Sequence, residues 1–394
     1  MTLAFLDVDL NAGEGARLLD AVRQMSPGLA GAASLLTRTF LIRSPWAPAM
    51  RFVGALATRG ETTFSVGGAG PSIENALMSC LGEAAERLSQ IEQPGDLLAA
   101  AALRDDLISP AAARLCALVS PQHKVADLDW MLGNDPDGAP SVIAADWCLR
   151  RARSGPMRVP GTMLSTGCAG GRDRRDASAR ALLELVERDA AALWWAGAQA
   201  PSSIDIDDGI SQLLLMLRGD HGERHTWLLD ISTDLGVPVV AALSCDKDRR
   251  NLVIGLGAGT DADGAQRRAV LELCQMEIGL QLARLKPEAQ RLDDDRRHLA
   301  RAEMDIGDAR LHGRGRSKAS AVAGDEHDAF DAVVDIFRTH RIDVTLIDLT
   351  RADIGVSVVK AVAPDLQPSP GSIQTARLKS RLRAGVRLPV VPLH

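Results

Sequence analysis

Apolar and polar positions alternate at two periods along the chain. Residues 38–58 (RTFLIRSPWAPAMRFVGALAT) carry short apolar, β-branched and aromatic runs broken by Pro and Gly, the pattern of strands joined by tight turns. After the glycine-rich FSVGGAGPS, residues Ile73, Leu77, Cys80, Leu81 and Leu88 recur at helical spacing. They predict a helix from Ser72 to about Gln90 with Ser72 as its N-cap. Residues 96–119 read as an Ala/Leu-rich helical region interrupted at Pro110. A second loop rich in Gly and Ser, STGCAGG, leads into a long helix from about Arg175. TWLLDI, VPVVAALS and NLVIGLGAG are β-type runs; the last two flank the polar turn CDKDRR and predict a hairpin. A third helix is expected from about Ala262 to Arg284, then a polar, mobile loop over 308–326. A helix at about 327–340, the strand DVTLIDLT and the tail RLPVVPLH complete the chain. Strands and helices interleave without a linker-like break, so the prediction is a mixed α/β fold. One large domain covers 51–394, with residues 1–50 an extension packed on it.

Composition narrows the function. Of 394 residues 46% are hydrophobic and 24% charged, enough to bury a core, so disorder is excluded. A net charge of -6 gives no field to attract nucleic acid or an anionic membrane. With no tyrosine and 3% aromatics, little is left for base-stacking platforms. No apolar run approaches the roughly eighteen residues of a membrane-spanning helix, and the start lacks the basic region of a signal peptide. A cytoplasmic protein is expected. The six cysteines are scattered without a CxxC pair, predicting reduced, buried thiols and no structural zinc. GLGAGTDADG, residues 255–264, imitates a dinucleotide fingerprint but lacks its third glycine and the later acidic residue. His221 and His225 read as surface histidines in a turn.

Chemistry concentrates on three acidic helices. Ser79, Glu83, Glu86 and Arg87 share one helical face, at offsets of zero, four, seven and eight. Glu184, Glu187 and Arg188 align on the second helix, with Asp176 two turns upstream, and Glu272 with Gln275 lie on the third. On a single helix such Glu-Arg neighbours are an ion-paired surface. Here each set lies among Ala, Leu, Cys and Val, and carboxylates converging from three helices repel unless a cation sits between them. Magnesium takes a few carboxylates and completes its shell with water and phosphate oxygens. Arg87 and Arg188 are then candidate phosphate clamps, and Ser79 and Gln275 candidate hydrogen-bond partners of a nucleotide. Trp194 and Trp195 are expected in the core or beneath that nucleotide.

These motifs resemble the YcaO family. GGAGPSIENALMSCLGEAAERLS is similar to its first ATP-binding motif, Ser-x-x-x-Glu-x-x-Glu-Arg. STGCAGGRDRRDASARALLELVERDA is similar to its second and AVLELCQ to its third, Glu-x-x-Gln. LLDISTDLGVPVVAA and DLTRADIGVSVVKAVAPDLQ extend the resemblance over roughly residues 50 to 394. The glycine loop lacks the basic residue relatives often carry, and Arg172 and Asp176 stand where Asn or Gln and Glu are common.

The resemblance implies helices packed on mixed β-sheets around a non-Walker site for ATP and Mg2+. Glu83, Glu86, Asp176, Glu184, Glu187 and Glu272 would surround the metal, with Ser79, Arg87, Arg188 and Gln275 assisting. It further implies cyclodehydration of Cys, Ser or Thr in a ribosomally made precursor peptide, of the bacteriocin kind, to thiazoline or oxazoline. A thioamide- or amidine-forming enzyme and a non-catalytic scaffold subunit are the alternatives. Expected partners are the precursor peptide, a separate E1-like leader-recognition protein, a flavin-dependent azoline dehydrogenase and a second copy of the chain. In azoline-forming relatives a C-terminus of the type Pro-x-Pro-x-Pro reaches the active site. Here Pro389 and Pro392 are separated by two residues, and the carboxylate or imidazole of His394 is the expected general base.

Overall fold

The computed structural model describes residues 4–119, 121–124, 127–151, 164–219, 223–317, 329–368, 373–382, 391 and 393. Its first part comprises β1 (Ala4–Val8), α1 (Gly13–Met25), α2 (Ala30–Ala33), β2 (Leu36–Arg43), β3 (Arg51–Arg59), β4 (Thr62–Gly70) and α3 (Ile73–Ser89). The four strands form one antiparallel sheet in the order β1-β2-β3-β4, so the N-terminal residues extend the sheet on which α3 lies.

The middle part holds α4 (Pro110–Val119), β5 (Trp130–Asn134), β6 (Pro140–Ala144), β7 (Cys168–Gly171), α5 (Arg174–Trp195), β8 (Ser202–Ile204) and α6 (Asp208–Arg218). It continues with β9 (Arg224–Asp230), β10 (Val239–Asp246), β11 (Val253–Ala258), α7 (Ala262–Leu285) and α8 (Asp293–Ala302). Last come α9 (Ala329–His340), β12 (Thr345–Asp348), β13 (Ser357–Val362) and α10 (Ala376–Arg381). Strands β11-β10-β9-β8 make a second antiparallel sheet, and β6-β5-β12-β13-β7 a third.

Local chemistry sets the helix starts. Ser72 Oγ accepts from the Asn75 N–H, Asp173 from that of Asp176 and Asp261 from that of Gly264, so each acidic helix has a side-chain N-cap. The hairpin around CDKDRR is present as β10 and β11. Two expectations change. Residues 96–109 hold only short 3-10 turns, at Ala100–Ala102 and Asp105–Leu107. Pro110 is the first residue of α4, its missing N–H costing nothing there, with Ser109 Oγ capping Ala112. His225 lies in β9, exposed and stacked on Trp227 at 5.5 Å, because the apolar run that follows pulls it into the strand; His221 is outside the described residues.

All six cysteines are buried and free, and Trp147, Trp194 and Trp195 are fully buried. Among the described residues no helix is long and apolar enough to cross a membrane.

Candidate active site

Glycine lets the acidic helices come close to their strands. A Cβ on Gly68 of β4 would stand 2.2 Å from the Ala76 oxygen and the Cys80 nitrogen, and one on Gly257 of β11 would stand 2.4 Å from the Ala265 oxygen. At that approach, carboxylates reach strand N–H groups. Gly67 donates to Glu83 Oε2 at 2.8 Å and Leu256 to Glu272 Oε2 at 3.0 Å, each across 16 residues. The hairpin β3-β4 with α3 and the hairpin β10-β11 with α7 are thus two copies of one unit. The glycines of GLGAG serve this packing. Helix α5 packs on β7, β13, β10 and β11 and is seated on Gly171, where a Cβ would lie 2.3 Å from the Ala177 nitrogen. Gly170 of β7 donates to Glu86 Oε1 at 2.7 Å, Gly167 to Glu184, and Ala258 of β11 to Glu187. Carboxylates therefore tie each helix to a neighbouring strand.

These carboxylates are held under strain from one another. Burial, with Glu184 and Glu83 close by, pushes the Glu86 carboxyl up to about 8. Burial and Glu187 push Glu184 and Glu272 up to about 7, and burial raises Glu187 as well. Arg188 stands among them, 3.6 Å from Glu184 and 3.5 Å from Glu187. Against its burial, Glu187, Glu184 and Glu272 hold its guanidinium above the ordinary value. The fixed arginines thus leave the carboxylates incompletely neutralised, and a divalent cation would relieve them. Among the described residues no three His, Cys, Asp or Glu side chains converge into a ready-made cage. Paired carboxylates suit a cation that keeps water and phosphate oxygens in its shell.

A cavity of about 710 Å³ collects Ser79, Glu83 and Glu86 from α3, Gly170 and Gly171 from β7, and Gln275 from α7. Glu184, Glu187, Arg188 and Glu272 adjoin it electrostatically, through Glu86 and one another. Arg87 is turned onto Glu83 at 2.7 Å. Asp176 accepts from the Arg172 N–H at 3.0 Å and faces Arg180 at 3.3 Å. Against its burial, the Arg172 N–H and Arg180 hold it below the usual carboxylate range, and it meets the other carboxylates through Arg180, which also acts on Glu86. His394, Pro389 and Pro392 lie outside the described residues. Their neighbours are fixed: Val391 accepts from Trp195 Nε1 at 2.7 Å, and Leu393, 1% exposed, accepts from Arg301.

Three contributors were missed in the sequence. Arg180 lines the cavity one turn before Glu184, and residues 25–29 form part of its wall. Lys360 of β13, 1% exposed, donates from Nζ to the Leu164 carbonyl at 3.0 Å and to that of Thr166, bracing the turn that presents Gly167 to Glu184.

A family model described as YcaO cyclodehydratase, ATP- and Mg2+-binding, matches residues 67–367. The chain belongs to the YcaO family. ATP and Mg2+ are accordingly its cofactors. An uncharacterized protein of Methanothermobacter thermautotrophicus is 27% identical to this YcaO chain over 345 residues, 81% of this chain and 85% of that one. Among solved structures, a heterocyclase in complex with substrate and cofactor superposes with a TM-score of 0.75 at 21% identity over 95% of this chain. The YcaO chain spans 57% of that heterocyclase's length. YcaO from Methanopyrus kandleri, bound with AMPPCP and Mg2+, gives 0.63 at 19% identity, covering 89% of this chain and 91% of that one. The E. coli microcin synthetase McbBCD complex with pro-MccB17 bound gives 0.63 at 18%, over 84% and 88%. These likenesses show the mixed α/β YcaO fold.

Proposed function

We propose that this protein is an ATP- and Mg2+-dependent cyclodehydratase, active on Cys, Ser or Thr in a ribosomally made precursor peptide. One observation carries the reading: Glu83, Glu86, Glu184, Glu187 and Glu272, on three helices, are each pinned by a backbone N–H group, Glu83 and Glu86 in the wall of one cavity and the other three in a buried group that acts on Glu86. These glutamates would hold magnesium, with Asp176 orienting Arg180 beside them. Arg87 and Arg188 would stabilise negative charge, and Ser79 and Gln275 would hydrogen-bond the nucleotide. When bound, ATP with Mg2+ supplies the phosphoryl group that makes the amide oxygen a good leaving group. The peptide side chain attacks the preceding carbonyl, that oxygen departs, and a thiazoline or oxazoline remains, with one water lost overall.

The C-terminal carboxylate or imidazole of His394 acts as general base on the peptide nucleophile. This part rests on the fixed positions of Val391 and Leu393 and on Arg301, which binds Leu393 while feeling Glu272. Leader recognition is assigned to a separate E1-like protein, and azoline oxidation to a flavin-dependent dehydrogenase; the likeness to a multi-protein synthetase supports partners in general. The test is the mass of a candidate precursor peptide after incubation with this protein, its partner, ATP and Mg2+. Loss of one water per modified residue is expected, and an unchanged mass refutes cyclodehydration.

A further inference from the structure

Arg150 is fixed at the end of α3: its N–H donates to the Gln90 carbonyl at 2.6 Å, and its carbonyl accepts from the Glu92 N–H at 3.0 Å. Its guanidinium stacks on Phe64, 4.9 Å from the ring centroid, and is half-buried, with Nε shielded and without a hydrogen-bond partner. Among the described residues no carboxylate pairs with it. Comparable arginines are matched. Arg151 meets Glu92, Asp129 and Asp146; Arg351 meets Asp96; Arg377 meets Asp189 and Asp234.

Burial lowers the proton affinity of Arg150, and the largest charge effect adding to it is the repulsion of another guanidinium, Arg87. Arg150 also lies within electrostatic reach of Cys168 and Lys360, and Cys168 lies within reach of Glu86 and Glu184. Two guanidiniums, one without a carboxylate partner among the described residues, thus belong to the C-terminal end of α3, the helix whose Glu83 and Glu86 line the cavity. A cation withdrawn from water without an anion is costly, and the cost is recovered when an anion arrives. Guanidinium keeps its charge under burial and matches tetrahedral oxyanions with paired N–H groups.

We propose that Arg150, together with Arg87 at the same end of α3, holds a phosphate oxygen at the rim of the carboxylate site, on the terminal phosphate of a bound nucleotide or on the phosphate it releases. The inference rests on the nucleotide-and-magnesium reading of that site.

The experiment compares the parent with Arg150→Met and Arg150→Lys by calorimetry, in Mg2+, against AMPPCP and against ADP plus inorganic phosphate, with melting temperatures taken without ligand. Arg150→Met should melt at or above the parent temperature, because a half-buried charge without a carboxylate partner is gone. It should bind at least one probe about 10- to 100-fold more weakly, the size of a lost charged hydrogen bond, with Arg150→Lys in between. Weakening of AMPPCP alone assigns the terminal phosphate, and weakening of inorganic phosphate alone assigns the released ion; both support the proposal. Unchanged affinities overturn it, and a lower melting temperature with unchanged affinities makes stacking on Phe64 the residue's role. A parent that binds no nucleotide overturns the nucleotide-site reading and this inference together, whereas a binding parent with an unaffected Arg150→Met overturns this inference alone.

Discussion

A carboxylate pushed up to about 8 is a liability to the folded state at neutral pH, since the group is ionised in the unfolded chain and folding must return a proton to it where burial and neighbouring glutamates oppose its charge. Glu86→Gln removes that conflict while keeping volume. The variant should therefore melt no lower than the parent without ligand, yet lose Mg2+-dependent nucleotide binding at least about tenfold. Calorimetry and melting curves check both halves; parent-like nucleotide binding would place the metal elsewhere. Glu277, on the same helix as Glu272, behaves oppositely. It is fully buried and meets Arg218 at 2.6 Å, Arg224 at 2.9 Å and Ser244 Oγ at 2.7 Å. Glu277→Gln leaves two buried guanidiniums without their carboxylate and should cost about 3–5 kcal/mol in chemical denaturation. Magnesium-dependent nucleotide binding should persist below its lowered melting point.

Helices here are positioned by what their strands lack. Gly68→Ala would drive a methyl group to 2.2 Å from helix backbone, lifting α3 from β4 and drawing Glu83 off the Gly67 N–H. Overpacking of this kind costs roughly 1–3 kcal/mol or more, and nucleotide affinity should fall with it. Gly60→Ala is the control. It sits in the turn before β4 at φ +59 with nothing within 4 Å of the added methyl, so about 1–2 kcal/mol of backbone strain should come with unchanged affinity. Equal effects on affinity would refute the packing account.

The same elements show what sequence could reveal. Three amphipathic helices announced themselves because their carboxylates recur at helical spacing inside apolar stripes, and the hairpin of β10 and β11 because a polar turn divides two β-branched runs. The strand-to-carboxylate hydrogen bonds were hidden, because backbone N–H groups carry no residue signature. GLGAG looked like a decoy until its glycines were seen beneath α7. Residues 96–109 misled because Ala and Leu favour a helix locally, while Pro110 and Ser109 begin one later. Arg150 and Arg180 gave no periodic signal. Lys360 did: a single lysine inside VSVVKAVA, on a strand buried on both faces, has nowhere to go but the interior.

At the scale of the molecule, α8 links the chain's last described residues to its third acidic helix. His298 accepts at Nδ1 from Arg301 at 3.1 Å, so its ring is neutral there, and burial together with Arg301 pushes it down to about 4. The unfolded chain takes up that proton near pH 6.5, the folded chain only near 4. Stability is therefore whole above 6.5 and falls as pH drops through this window, by roughly 1–2 kcal/mol once partial solvent screening is allowed for. His298→Gln should flatten denaturation midpoints between pH 4.5 and 6.5, and an unchanged slope would assign the loss to other groups. The tail itself contributes two separable things. Leu393 fills the core beside α5, so Leu393→Ala should cost about 2–5 kcal/mol. His394, if it is the general base, contributes to chemistry alone. Deleting residues 389–394 confounds the two, because the bonds from Trp195 and Arg301 go with them. Appending a few residues after His394 separates them: both bonds and the packing of Leu393 survive, while the carboxylate is consumed in a peptide bond and the imidazole is displaced. That extended protein should melt like the parent and bind Mg2+ and nucleotide normally. Its peptide modification should be roughly a hundred- to ten-thousand-fold slower, the usual worth of a positioned base. Full activity in the extended protein would remove His394 from the chemistry and leave the tail as packing.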